Sequence, residues 1–244
     1  QKDYKEMRKV NIHGTAIIVN LSIDVKIKKL CFVGSIASVG DALNGKRITE
    51  ENEWNKELDN SGYSITKFGA EMEIWRASQE QVEVVIVNPG IILGSGFWFA
   101  GSGKLFSQVY NGFKYYTEGI TGFVGVKDVV NAMILLMNSE VKNERFILVS
   151  ENKSYKEVFF LIADAFGKKR PSKKIKLWQT NIFWRISSIV SLFTKRAPLL
   201  GKYAAKSAHE VSEYSSKKIQ KIINFQFERI ESVVKKVCKD YEKN

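Results

Sequence analysis

A chain of 244 residues with 44% hydrophobic and 26% charged content is long enough to bury a core and too apolar to be disordered. Two cysteines, Cys31 and Cys238, and two histidines, His13 and His209, are too few and too scattered for a disulfide framework or the usual metal site. The formal charge of +12 raises nucleic acid as a partner, and reduced thiols point to a cytoplasmic protein.

In chain order, the sequence opens inside a helical pattern, with Val10, Gly14, Ile17 and Leu21 at helical spacing. Gly14 in mid-helix costs about 1 kcal/mol against alanine, so close packing is expected there. His13 reads as a surface residue. Leu30-Cys31-Phe32-Val33 is apolar on both faces, as strands in parallel sheets covered on both sides are. Gly34-Ser35-Ile36-Ala37-Ser38-Val39-Gly40 ends it. Residues 41–62 form a long polar loop around Trp54, and long loops in compact domains tend to be functional.

Tyr63-Ser64-Ile65-Thr66-Lys67 then opens a helix that continues through Ala70 and Ile74. Residues four apart share a helix face, so Tyr63 and Lys67 can point into one cleft. A phenol with pKa near ~10 is a poor proton carrier at neutral pH, and a nearby ammonium favours its phenolate. With Ser35 at the end of the preceding strand, the three make an acid–base device for a carbinol or carbonyl. Tyr-x-x-x-Lys alone is far more often a solvated helix face. Its order after the strand and serine is what gives it meaning.

Val82–Val87 reads as a second buried strand, ended by Asn88-Pro89-Gly90. The stretch from Gly90 to Gly103 has no charge and carries Phe97, Trp98 and Phe99. Its glycines and the preceding proline argue against a membrane span. It is either a ligand loop at the carboxyl end of a parallel strand or a hydrophobic loop tucked under the next helix. Gly122–Val126 is strand-like and leads into Asp128–Met137, apolar almost all round and therefore expected to be buried. Asp128 would cap or charge-stabilise its start.

Arg145–Val149 is a third strand, followed by a helix with Val158, Leu161, Ile162 and Ala165 on one side. Strands alternating with helices indicate an α/β fold with a parallel sheet. The cluster Lys168-Lys169-Arg170-Pro171-Ser172-Lys173-Lys174-Ile175-Lys176 has no interleaved aromatic, so a solvated loop is expected and no nucleic acid. The helix from Trp178 to Thr194, interrupted by Arg185, is too short between charges to span a bilayer. It reads as a substrate lid, a homodimer surface or an interfacial helix. Helices over Tyr214–Lys221 and Glu228–Asp240 finish the chain, the second with Ile230, Val233, Val234 and Val237 inward.

The serine strand and the Tyr63-x-x-x-Lys67 helix are joined by three further motifs in order: Asn11-Ile12-His13-Gly14-Thr15, Asn88-Pro89-Gly90-Ile91-Ile92-Leu93-Gly94, and Phe123-Val124-Gly125-Val126-Lys127-Asp128-Val129-Val130. With these the sequence resembles the extended, epimerase/dehydratase-like branch of the short-chain dehydrogenase/reductase superfamily. Its Asn-Pro-Gly form is nearer to dihydroflavonol-reductase-like and hydroxysteroid-dehydrogenase-like members than to nucleotide-sugar enzymes. The resemblance implies a Rossmann-type domain over residues 1–150, represented by its later strands, and a mostly helical substrate-binding or lid region over residues 151–244. It implies NAD or NADP as cofactor and a small-molecule substrate. Tyr63 would be the acid–base residue, Lys67 would also hold the nicotinamide ribose, and Ser35 would orient the substrate oxygen. Asn11 would line the cofactor cleft, and Pro89, Gly90 and Ile91 would lie along the nicotinamide.

One part of the family pattern is missing. No Gly-x-x-Gly-x-x-Gly turn follows a strand, and its amides are what hold the pyrophosphate. Gly94-Ser95-Gly96 and Gly101-Ser102-Gly103 lack the spacing. By the family plan the first four strands precede Gln1. Two readings follow: an NAD(P)-dependent oxidoreductase or epimerase-like enzyme represented by its later two-thirds, or a truncated, catalytically silent chain acting as an interaction module.

Overall fold

The computed structural model describes residues 2–42, 45–194 and 201–243. Strands and helices alternate as an α/β fold requires. The opening helix has three pieces: α1 (Lys2–Arg8), a π-helical turn (Lys9–His13) and α2 (Gly14–Asp24). Then come β1 (Lys29–Val33), a 3-10 turn (Ile36–Ser38), α3 (Gly62–Gln79), β2 (Glu83–Pro89) and β3 (Ile91–Leu93). Next are α4 (Gly103–Tyr110), β4 (Tyr115–Tyr116), β5 (Ile120–Gly125), α5 (Val126–Met137) and β6 (Glu144–Leu148). The chain closes with β7 (Glu151–Ser154), α6 (Tyr155–Ala165), β8 (Lys173–Lys174), α7 (Leu177–Thr194), α8 (Lys202–Ser207), α9 (Lys217–Ile223) and α10 (Ile230–Tyr241). Two compact units are interleaved along it. One takes residues 1–92, 123–150 and 214–228, the other residues 93–122, 151–213 and 229–244.

The first unit is built on a parallel sheet in the order β1-β2-β6, with Val33 opposite Val87 and Val87 opposite Phe146. β2 is central, and Val84, Val85, Ile86 and Val87 are fully buried. Alternate residues serve opposite faces. Val85 and Val87 pack with Val129, Ala132 and Leu136 of α5 and Ile219 of α9. Val84 and Ile86 pack with Val19, Ile74 and Ala77 of α2 and α3. Each of the buried valine, isoleucine and leucine side chains contributes roughly 1.5–3 kcal/mol, so the central strand anchors both layers.

Three sequence expectations change here. β1 is half-buried along its length rather than enclosed, because among the described residues it pairs with β2 alone. α5 buries Asp128, Val129, Ala132 and Leu136 but leaves Val126, Val130, Ile134, Leu135 and Met137 exposed. Its composition is apolar all round, yet one face only meets the sheet. On the opening helix, Val10, Ile17 and Leu21 are likewise exposed, and Val19 and Ser22 face inward. A Cβ on Gly14 would meet nothing closer than 3.9 Å, so no tight packing explains that glycine.

The outer edge of β6 is closed by side chains rather than by a strand. Glu50 Oε1 accepts from Ile147 N at 2.8 Å, and Ser216 Oγ accepts from Val149 N at 2.8 Å. Arg145 donates to the carbonyls of Glu50 and Asn52. The long loop after β1 is thereby pinned to the sheet edge, which protects it from pairing elsewhere.

In the second unit, Tyr110 of α4 and Tyr241 of α10 form an aromatic cluster with Phe166, just past α6, and Trp98, ahead of α4. Ser154 and Glu157 form a capping box that starts α6. α10 buries Ile230, Val233, Val234 and Val237 as its spacing demands. Within the Gly90–Gly103 stretch, Trp98 is tucked against Phe106 while Phe97 and Phe99 stand exposed. The lysine-rich stretch is not simply a free loop. Lys173 and Lys174 pair in parallel with Tyr115 and Tyr116, and Lys173 lies 5.9 Å from the Tyr115 ring centroid. Aromatics absent from the local sequence are supplied by another segment. α7 exposes Leu177, Trp178, Ile182, Phe183 and Ile186. Among the described residues no helix is long and apolar enough to cross a membrane.

Candidate active site

The end of β1 is shaped by Gly34, whose amide donates to Val87 O at 2.7 Å. A Cβ there would lie 2.6 Å from Asn88 Nδ2 and 3.3 Å from Glu71 Oε2. Only glycine lets the strand end come so close to those groups. Ser35 follows in extended backbone and caps the 3-10 turn, its Oγ accepting from Ala37 N at 3.1 Å. The hydroxyl hydrogen remains to be donated.

α3 begins at the Ser61 cap, which accepts from Ser64 N at 3.0 Å. Tyr63 stands in its first turn, 47% exposed, and its hydroxyl makes no hydrogen bond among the described residues. One turn on, Lys67 reaches back to the strand and donates to Val33 O at 2.8 Å. Its Nζ also lies 5.0 Å from the Phe32 ring centroid. Desolvation lowers the Lys67 pKa, and the nearby Glu71 charge partly restores it. Tyr63 and Lys67 therefore share a face, but the lysine is engaged by β1 rather than by the phenol. The arrangement presents an exposed phenol and, one helical turn on, a cation held against the strand end.

Asn11 lies in the π-helical turn, where Gly14 N bonds to Lys9 O. Such turns are rare and recur at functional sites. Asn11 Nδ2 donates to Thr66 Oγ1 at 3.0 Å, and Thr66 Oγ1 donates to Tyr63 O at 3.0 Å. The opening helix is thus fastened to α3 beside Lys67. A Cβ on Gly69 would meet Ile12 Cδ1 at 2.6 Å, so glycine sets how closely the two helices approach. Pro89 ends β2 opposite Leu148, Gly90 N donates to Leu148 O at 3.0 Å, and Ile91 begins β3. Ser35 and Pro89-Gly90-Ile91 thus leave the same carboxyl end of the parallel sheet, where open α/β sheets bind ligands.

Four residues beneath the site carried no assigned role in the sequence reading. Glu71 is fully buried and accepts from Asn88 Nδ2 at 2.8 Å and from Ser38 Oγ at 2.8 Å, a hydroxyl whose one hydrogen is shared with Ser35 O at 2.7 Å. Arg145 Nη1 donates to its other oxygen at 3.3 Å. Asn88 Nδ2 also lies 3.1 Å from Ser35 O, while Asn88 Oδ1 is buried with no partner among the described residues. A glutamate four residues after Lys67 on an otherwise apolar stripe was the one available signal. Among the described residues no cluster of three or more His, Cys, Asp or Glu could hold a metal.

An NAD-binding family model described as "Male sterility protein" matches residues 1–141. A Synechocystis protein provisionally named dihydroflavonol 4-reductase is 24% identical over 231 residues, 91% of this chain and 67% of that one. Cinnamoyl-CoA reductase 2 of Medicago truncatula is 26% identical over 172 residues, 66% of this chain. The chain spans about half, 51%, of that relative's length. The crystal structure of gox2253 superposes with a TM-score of 0.83 at 21% identity, covering 100% of this chain and 74% of the other. At that identity the likeness carries the fold alone.

Proposed function

We propose a reaction from one premise: the chain belongs to this NAD-binding family, within the extended short-chain dehydrogenase/reductase superfamily. It serves an NAD(P)-dependent oxidoreductase, or an epimerase-like relative, acting on the CH–OH or C=O group of a small hydrophobic substrate. The single observation that carries this reading is the 2.8 Å bond from Lys67 to Val33 O. It brings the lysine of α3 to the strand end that bears Ser35.

The donor set suits the nicotinamide end of such a cofactor, since Lys67 keeps two ammonium hydrogens beyond the one given to Val33. Those hydrogens would hold the nicotinamide ribose. Asn11 would line the cofactor cleft, and Pro89, Gly90 and Ile91 would border the nicotinamide. NAD or NADP supplies or accepts the hydride when bound. Tyr63 gives or takes the proton at the substrate oxygen through its exposed hydroxyl, with the Lys67 ammonium steadying negative charge on the phenol oxygen. Ser35 donates its hydroxyl hydrogen to the same substrate oxygen, one of its lone pairs already engaged by Ala37 N.

The test uses the full-length protein with NADH and NADPH, against a panel of aromatic aldehydes and ketones and a panel of nucleotide sugars. Turnover on the hydrophobic panel is expected. Tyr63→Phe should lower it by on the order of a hundredfold or more with unchanged circular dichroism. A Tyr63→Phe protein that keeps most of its rate would sink the acid–base assignment. Saturable binding of a nucleotide sugar alone would overturn the substrate class.

A further inference from the structure

The buried carboxylate of Glu71 sits at the meeting point of three segments. It takes Ser38 from the turn after β1, Asn88 from the end of β2, and Arg145 from β6. Asn88 extends the reach, since its Nδ2 lies 3.1 Å from both Ser35 O and Ser38 Oγ. An amide nitrogen has two hydrogens, so two of its three acceptors can be served at once. Glu71 and Ser38 are each fully buried, as is Asn88.

Burying a carboxylate is expensive even beside a cation, and apolar side chains of similar volume often stabilise a fold better. A charged network retained in such a place is better explained by the geometry it imposes than by stability. Glu71 is also the third residue, after Tyr63 and Lys67, in an i, i+4, i+8 series on α3. Lys67 grips Val33 and Glu71 grips the turn that follows, so one helix face sets the whole strand end.

We infer that Glu71 is a positioning residue: through Ser38 and Asn88 its carboxylate holds the Ser35–Ser38 turn in the place from which Ser35 meets the substrate oxygen. The inference rests on the reading of Ser35, Tyr63 and Lys67 given above. Arg145 supplies the compensating charge and ties the same carboxylate to the loop carbonyls of Glu50 and Asn52.

The experiment compares full-length wild type, Glu71→Gln, the milder Ser38→Ala, and the double variant Glu71→Gln, Arg145→Gln. Amide hydrogen exchange is read at Ala37, Ser38 and Val39, whose N–H groups close the turn, with Val84–Val87 of β2 as internal reference. In Glu71→Gln and Ser38→Ala the turn amides should exchange on the order of tenfold faster while the β2 amides keep their rates. The double variant, which removes the cation together with the carboxylate, should leave the turn amides as unprotected as Glu71→Gln does. In turnover, Glu71→Gln should lower kcat by on the order of tenfold with KM for NADH or NADPH within about twofold.

Turn amides that exchange as in wild type, or that speed up only together with β2, overturn the positioning role. A loosened turn with unchanged kcat overturns its part in the reaction. The same assay on Tyr63→Phe separates the two failures: if that variant keeps its rate, the reaction itself has been misread, and the catalytic part of the inference falls with it.

Discussion

Lys67 on α3 donates to the carbonyl oxygen of Val33, the last residue of β1, at 2.8 Å across 34 residues of sequence. The helix that presents the phenol and the strand that presents Ser35 are thereby held as one piece. A charged hydrogen bond of this kind contributes about 1.5–3 kcal/mol, here reduced by the desolvation that also lowers the lysine pKa.

Lys67→Met should therefore cost about 1 kcal/mol of stability and much more in function. Turnover is expected to fall by on the order of a hundredfold, with weaker cofactor binding, since both the proposed ribose contact and the charge one helical turn from Tyr63 are lost. Steady-state kinetics and cofactor titration on the full-length variant check this. Unchanged cofactor affinity and rate would remove Lys67 from the site.

A second lysine does a structural job. Lys29 Nζ donates to Leu136 O at 2.6 Å and Ser139 O at 2.7 Å, at the carboxyl end of α5. Leu136 O, in the last turn of α5, also accepts from Ser139 Oγ at 2.8 Å, and Ser139 follows just past the helix end, where a cation meets the negative end of the dipole. Lys29→Met should destabilise the protein by about 2 kcal/mol without altering kcat. Urea unfolding with an unchanged m-value reads the loss, and an unshifted midpoint contradicts it.

The two thiols set a pH dependence. Burial pushes Cys31 up from 9.0 to about 11 and Cys238 from 9.0 to about 12. Below pH 9 the thiols are protonated in both states and their contribution to stability is fully present. Between pH 9 and about 11 the unfolded chain sheds protons that the folded chain keeps, so stability falls as pH rises. Cys31→Ser, Cys238→Ser should flatten that slope in denaturant titrations from pH 8 to 10.5. In the native protein at pH 8 both thiols should react with iodoacetamide at least about tenfold more slowly than free cysteine. Rates equal to the unfolded chain would show the thiols are accessible.

The open edge of β1 predicts the behaviour of these 244 residues on their own. β1 pairs with β2 alone among the described residues, and α5 exposes Val126, Val130 and Ile134 along one stripe. An unpaired strand edge beside apolar surface favours association. The sequence contains no Gly-x-x-Gly-x-x-Gly turn, the motif whose amides hold a pyrophosphate in such folds. Sedimentation should show self-association, and calorimetry should show no binding of NADH or NADPH at micromolar concentrations. A stable monomer with micromolar affinity for either would refute both halves.

The α/β alternation, the burial of β2 and the inward face of α10 were legible in the sequence because they depend on local periodicity alone. A continuous apolar run is consistent with a strand covered on both faces, which Val84–Val87 is and Leu30–Val33, half-buried, is not. Four-residue spacing likewise places Tyr63 and Lys67 on one helix face whatever surrounds them. Periodicity cannot say which partner covers a face. α5 has apolar residues all round, and only the sheet's position decided that Ala132 is buried and Ile134 is not. Lysine-rich β8 met its tyrosines only when Tyr115 and Tyr116 came alongside from some 60 residues away. The polar interior under the site was decided in the same way. Glu71 meets Arg145 across 74 residues and Asn88 across 17. A buried charge must find its partners wherever the fold brings them, so those pairings belong to the tertiary structure and not to any stretch of the sequence.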